Sequence, residues 1–290
     1  MDIDPFLYVA LGAGILLGWA LRPRTVWIAR ATHATILALV FFLGASLASV
    51  PSSDLPGAIG LGLGFAVLIV ACTIAFAVLI HPARAPSRAP ASTAVARGAS
   101  AWFSVALIVA LVLGYAIASA VRVPAESGIT DALYLLLFLV GLGLRWLWKS
   151  LARVWVPVAA SLLGAVVAAG AYTAATGLAL RSSLAITFGF GWYSLDGPLV
   201  AASVGATLGL IAFLANFLRE NLTMLLAPAL GRRLGGDGVT AMGGATSMDT
   251  TLYFVVNFGD PDAASLALAS GLVLTVAASL LVPLLLAVPA

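Results

Sequence analysis

Three acids and one base fall inside the apolar C-terminal part of this chain: Asp196, Glu220 and Asp249 against Arg219. A net-negative cluster of that kind suits a ligand with excess positive charge. Intramembrane carboxylates also bind and release protons or Na⁺, so the same groups can carry a coupling ion. Asp196 and Asp249 belong to two related Gly-rich breaks, GFGWYSLDG (Gly189 to Gly197) and GGATSMDTT (Gly243 to Thr251), each with a Ser-x-Asp built on Ser194 or Ser247. Polar, non-helical backbone at membrane depth is tolerated only where it is buried in protein or lines a watery cavity. Two such breaks in corresponding places point to the substrate site of a transporter.

The arms that follow the breaks are expected to begin near Pro198 and Thr250. Two helix N-termini then face the membrane centre from opposite sides, with free N–H groups and dipoles suited to a carboxylate. Asp196 and Asp249 fall at about the N-cap positions of those arms, and simple capping is the alternative to ligand binding. Thr246 in the second break adds a hydroxyl. Trp192 and Tyr193 either line the site by a cation–π contact or fill space. Between the breaks, GLIAFLANFLRENLTMLLAPALG (Gly209 to Gly231) carries Asn216, Arg219, Glu220 and Asn221 at its centre. An ionisable residue there costs about 2.5–3.5 kcal/mol on insertion scales and needs a partner or water. Adjacent residues point about 100° apart on a helix, so Arg219 and Glu220 cannot serve one partner. Glu220 is assigned to the substrate or ion pathway. Arg219 is assigned to holding a hairpin carboxylate or backbone carbonyls. A basic amino acid matches this set: its carboxylate meets the dipoles and its ammonium groups meet the acids. The coupling ion is H⁺ or Na⁺, and no other cofactor is called for.

Composition sets the solvent for these groups. Of 290 residues, 62% are hydrophobic and 9% charged, with a formal net charge of +3, and the mean hydropathy is +1.14. A soluble globular protein carries roughly 25% charge, and apolar runs of about 20 residues recur throughout, so the bilayer is the main partner. The small basic excess reports loop topology and not nucleic-acid binding. The single Cys72 excludes a disulfide framework, and His33 and His81 stand apart at span edges with no metal-ligand spacing. The N-terminal MDIDPF lacks the basic region of a cleaved signal, so the first apolar run is expected to stay as a span.

The runs predict six spans first: Pro5–Leu21, Ala34–Val50, Gly57–Ile80, Ala101–Val121, Ile129–Leu144 and Val154–Thr176, with a Pro/Ala/Ser-rich basic linker over His81–Ser100. LGWA (Leu17–Ala20) recurs as LGYA (Leu113–Ala116), and FFLGASL (Phe41–Leu47) as FLVGLGL (Phe138–Leu144). Three spans per copy place the second copy upside down, the inverted-repeat build of many transporters. The C-terminal part repeats as break plus full span, with spans at Gly209–Gly231 and Ala263–Val288. The arms around each break are too short to cross a ~30 Å core singly. Treating them as re-entrant hairpins places eleven of the fourteen Lys and Arg residues on the inner side, Arg232 and Arg233 among them. The expected fold is therefore an all-α polytopic membrane protein with eight transmembrane helices, two re-entrant hairpins and both termini outside.

At FFLGASL, the FLVGLGLR run ending at Arg145, GFGWYSLDG, LRE with LLAPAL after it, and GGATSMDTT, the chain resembles the bacterial and archaeal lysine exporter (LysO) family. The resemblance covers most of the chain. It implies export of L-lysine and its toxic analogue thialysine across the cytoplasmic (inner) membrane, eight spans, outside termini, and essential membrane-embedded acids carried over to Glu220 and Asp249. The family also has an acid soon after FFxGxSL. Here that position is Pro51, with Asp54 three residues later. The order of six spans, hairpin, span, hairpin, span is similar to the glutamate-transporter architecture, an analogy of topology alone. It implies an elevator in which a transport domain, residues 177–290, moves against a scaffold, residues 1–176; a homo-oligomer is compatible with that arrangement. The competing readings are a Na⁺-coupled carrier of another small anionic or zwitterionic metabolite, a passive channel, and an intramembrane aspartyl enzyme. The duplicated Ser-x-Asp hairpins favour a transporter over an enzyme.

Overall fold

The computed structural model describes residues 5–21, 25–80, 95–143, 151–248, 250–259 and 263–287, which are helical almost throughout. Six helices come first: α1 (Pro5–Leu21), α2 (Thr25–Ser46), α3 (Leu55–Ile80), α4 (Val95–Ala120), α5 (Ala125–Gly143) and α6 (Leu151–Thr176). Several start earlier than their apolar runs, because polar residues extend a helix once hydrogen bonding has begun. Thus α5 takes Glu126 into its first turn, where a negative charge meets the positive end of the helix dipole. Of the expected linker, 81–94 lies outside the described residues and 95–100 opens α4.

Five helical stretches among the described residues are long and apolar enough to cross a membrane: Arg30–Ser49, Leu55–Ile80, Arg153–Thr176, Ala206–Met248 and Ala264–Ala287. Val9–Gly18 and Val105–Ala120 are apolar but shorter. Large apolar side chains such as Leu79 and Leu225 point outward, as they do on helices solvated by lipid. The chain is an all-helical, polytopic membrane protein.

Within the first six helices, α1 packs on α5, α2 on α4 and α5, and α3 on α6. Tyr172 of α6 stacks on Phe65 of α3 at 3.5 Å and donates its hydroxyl to the Leu61 carbonyl at 2.7 Å. The α1–α5 and α2–α4 crossings use matching partners. A Cβ on Gly114 would strike Phe41 O and Ala45 N, and one on Gly14 would strike Phe138 O and Leu142 N. Phe41 pairs with Phe138, and Ala45 with Leu142, in the FFLGASL alignment. The helices carrying the glycines are offset differently: Gly14 answers Gly114, whereas the LGWA–LGYA match aligns Gly18 with Gly114. The sequence alignment of α1 with α4 is therefore one helical turn out of register with the packing.

The remainder is organised around one long helix. After α7 (Leu180–Thr187), a tight turn leads into α8 (Tyr193–Val204) and then α9 (Ala206–Gly243). Gly235 interrupts α9 with φ 66° and ψ −175°, a conformation open to glycine and strained for other residues. The stretch before the break corresponds to the expected span Gly209–Gly231, and the short stretch after it is the first arm of the second break. A 3₁₀ turn (Gly244–Met248), α10 (Leu252–Phe254), a π turn (Val255–Gly259) and α11 (Ala264–Ala287) follow. Helix α9 packs against both α3 and α8, and α11 packs against the 3₁₀ turn.

Candidate functional site

The first Gly-rich break forms the turn between α7 and α8. Phe190 (φ 50°) and Gly191 (φ 93°) turn the chain sharply, and the Trp192 N–H donates to Gly189 O at 2.7 Å. Helix α8 therefore begins at Tyr193, earlier than Pro198, which lies inside it. Asp196 consequently sits within the first turns of α8 and is not its N-cap; no side chain caps this helix. Its carboxylate Oδ2 instead accepts the Nδ2–H of Asn216, 2.7 Å away on α9.

Asn216 holds this turn together. Its Oδ1 accepts the Gly191 N–H at 2.7 Å, and its Nδ2 also donates to Ile186 O at 2.9 Å and Ala212 O at 3.1 Å. Asn216 and Asp196 are both fully buried. A Cβ on Gly189 would lie 2.6 Å from Asn216 Nδ2 and 2.7 Å from Asp196 Cγ, so glycine is what lets the turn close over the pair.

Arg219, less than one turn further along α9, does the same for the second break. Its Nε donates to Met242 O at 3.1 Å and its Nη2 to Ala241 O at 3.1 Å. Of the two partners expected for Arg219, backbone carbonyls are the ones it meets. The hydroxyl of Ser161 on α6 also donates to Ala241 O, at 2.8 Å. Thr246 Oγ1 donates to Gly243 O at 2.9 Å and lies 3.4 Å from Thr251 Oγ1. Ser247 donates to Ala267 O of α11 at 2.9 Å.

The two breaks touch. The Ala245 N–H donates to Phe190 O at 2.9 Å, and a Cβ on Gly244, whose φ is +65°, would collide with that same oxygen. Two Gly-rich turns thus meet inside the fold, each pinned by a polar side chain of α9.

Glu220 is buried beside them on α9, at 2% exposure, and Ser194 is buried on α8. Asn221 and Thr250 are half-buried; Asn221 Nδ2 donates to Phe217 O in its own helix at 2.7 Å. Tyr193 packs edge-on against Phe213 and Phe217, and half-buried Trp192 packs on the apolar core. Asp249 lies outside the described residues. Asp196, Asn216, Arg219, Thr246 and the turn backbones are therefore brought together, while Asn221 serves its own helix.

Sequence reasoning passed over Ser161 and the pair Arg153–Asp237, where Arg153 Nη2 lies 2.8 Å from the Asp237 carboxylate. Both tie α6 to the arm after Gly235. Only the acidic residue in an apolar run offered a signal, since a serine within an apolar span is unremarkable.

The family described as lysine exporter LysO matches residues 105–286. The chain belongs to the lysine exporter LysO family. The match takes in both Gly-rich turns and all of α9. The LysO of Escherichia coli (strain K12) is 38% identical over 167 residues, covering 53% of this chain and 52% of that protein. A protein of Haemophilus influenzae, provisionally named a lysine exporter, is 32% identical over 126 residues, covering 43% of this chain and 60% of its own length. The chain spans about half the length of the first of these LysO relatives. No solved structure matches it.

Proposed function

We propose that the chain is a secondary exporter of L-lysine and thialysine in the cytoplasmic membrane, driven by antiport of H⁺ or Na⁺. Family membership supports the substrate class. The single observation that carries the transport reading is the contact between two Gly-rich turns in the interior of an apolar fold, Ala245 N–H to Phe190 O. Interior irregular backbone of this kind is the usual build of a transporter's binding site. Around it Glu220 and Asp249 receive the ammonium groups, Asp196 serves the coupling ion, and the turn N–H groups receive the carboxylate. Ser194, Ser247, Thr246 and Thr250 supply neutral contacts, on turns that Asn216 and Arg219 hold in place.

In this reading the turns are tips of re-entrant hairpins entering from opposite faces, within eight spans whose termini lie outside. The matching α1–α5 and α2–α4 crossings support an inverted repeat in residues 1–176, which serves as the scaffold. Residues 177–290 move against it as an elevator.

The test is uptake of labelled lysine into proteoliposomes with and without imposed H⁺ and Na⁺ gradients. Gradient-dependent lysine flux is expected. Flux of another small anionic or zwitterionic metabolite in place of lysine would replace this reading with that of a Na⁺-coupled carrier, and no gradient-dependent flux at all would discard it.

A further inference from the structure

We infer that Asp196 is a proton-binding site, and that its proton is the ion linked to contact between the two turns. The coupling part of this inference rests on the export reading above; the protonation state does not.

The chemistry of Asn216 fixes what Asp196 faces. The Gly191 N–H can only donate, so the amide oxygen of Asn216 must point at it. Ile186 O and Ala212 O can only accept, so the amide nitrogen must point at them. Asp196 Oδ2 is the third acceptor on that nitrogen, which has two hydrogens to give. The other oxygen, Oδ1, is fully buried and has no hydrogen-bond partner among the described residues. No Lys, Arg or His nitrogen among the described residues lies within 4.0 Å of either oxygen.

The elements packed on α8 do not bring a countercharge. Helix α11 carries no ionisable residue. On α7 the only one is Arg181, in its first turn. Arg30 and His33 of α2, and Glu126 and Asp131 of α5, are exposed. On α9 the guanidinium of Arg219 is turned onto Ala241 and Met242, and Glu220 would add like charge. On α8 itself Tyr193 packs its ring edge-on against Phe213 and Phe217 and carries no positive charge. An ionised carboxylate in such a place is far more costly than a neutral acid with one unused oxygen. A bound Na⁺ fits less well than a proton, because it needs several oxygen ligands and the nearby carbonyls of Ile186 and Ala212 are already engaged by Asn216.

Ionising Asp196 also reaches the turns. A charged carboxylate draws the amide hydrogens of Asn216 away from Ile186 O and Ala212 O. Reorienting that amide releases the Gly191 N–H, and Gly191 directly follows Phe190, whose carbonyl takes the Ala245 N–H. The protonated state thus favours the turns together, and loss of the proton favours their separation.

Infrared difference spectra of the purified full chain, recorded over a pH titration without substrate, test the protonation. A carbonyl band of a buried protonated acid is expected, lost in Asp196→Asn and shifted but kept in Asp196→Glu. In proteoliposomes, Asp196→Asn is expected to lose concentrative lysine flux driven by a pH gradient, and whatever flux remains becomes insensitive to that gradient. Absence of a band that Asp196→Asn removes would overturn the inference, as would removal of the band by Na⁺ at constant pH. Full pH-gradient drive in Asp196→Asn would overturn the coupling. If the band behaves as expected but no lysine moves in wild type, the proton site stands and the substrate assignment fails.

Discussion

Phe190 and Ala245, one in each Gly-rich turn, are joined by a 2.9 Å hydrogen bond from the Ala245 N–H to the Phe190 carbonyl. The bond forms because Gly244 has no side chain to hold the backbones apart. Gly244→Ala would place a methyl against Phe190 O and 2.9 Å from Arg219 Nη2, at φ +65°. Strain of this kind costs about 1–3 kcal/mol. The expected outcome is loss of most lysine flux and a lowered Tm in detergent. Wild-type flux and Tm in Gly244→Ala would mean that the turns do not meet in the working protein.

Arg219→Lys keeps the charge and loses the fork. One ammonium cannot reproduce the separate Nε and Nη2 bonds to Met242 O and Ala241 O. Ala241 O keeps the Ser161 hydroxyl, while Met242 O left unpaired costs about 1–3 kcal/mol. The Arg219→Lys variant is expected to unfold at lower temperature and to expose the 236–243 arm to hydrogen exchange. Unchanged exchange in that arm would remove Arg219 from its anchoring role.

Glu220→Gln removes the carboxylate of a buried residue with little change of shape, and Asp249→Asn removes the acid of the second break. Each is expected to abolish lysine flux while the protein elutes and melts as wild type. Normal flux in either variant would take that residue out of the substrate or ion pathway.

The Arg153–Asp237 pair and the Ser161–Ala241 hydrogen bond both join α6 to the arm after Gly235. The guanidinium side chain of Arg153 is 51% exposed, so the pair is worth roughly 0–1 kcal/mol. Arg153→Ala should therefore barely change stability. Cysteines at 153 and 237, in a background lacking Cys72, joined by a bifunctional thiol reagent, should stop transport if residues 177–290 slide past the first six helices. Undiminished flux after complete cross-linking would rule that motion out.

Much of this arrangement was legible in the sequence. Glycine clusters and Ser-x-Asp in apolar surroundings marked both turns, and the isolated cation in the middle of an apolar run marked Arg219. The start of α8 was not legible, because Pro198 resembles a first-turn proline whereas the positive φ of Phe190 and Gly191 lets the helix begin at Tyr193. The partner of Asp196 was hidden because it comes from a residue on another helix, beyond any local spacing rule. The α1–α4 register was misjudged by one turn because Gly- and Leu-rich helices look alike every three or four residues. Gly235 was passed over because the composition on either side of it remains helical.

Asn216 and Arg219 are three residues apart on α9, about 4.5 Å along its axis. Both turns therefore hang from less than one helical turn of a single post. Inserting one residue between them would rotate one anchor about 100° away from the other and release one turn while leaving the other held. A conservative substitution preserves that spacing and an insertion does not, so this short, largely buried stretch of α9 should tolerate no change in length at all.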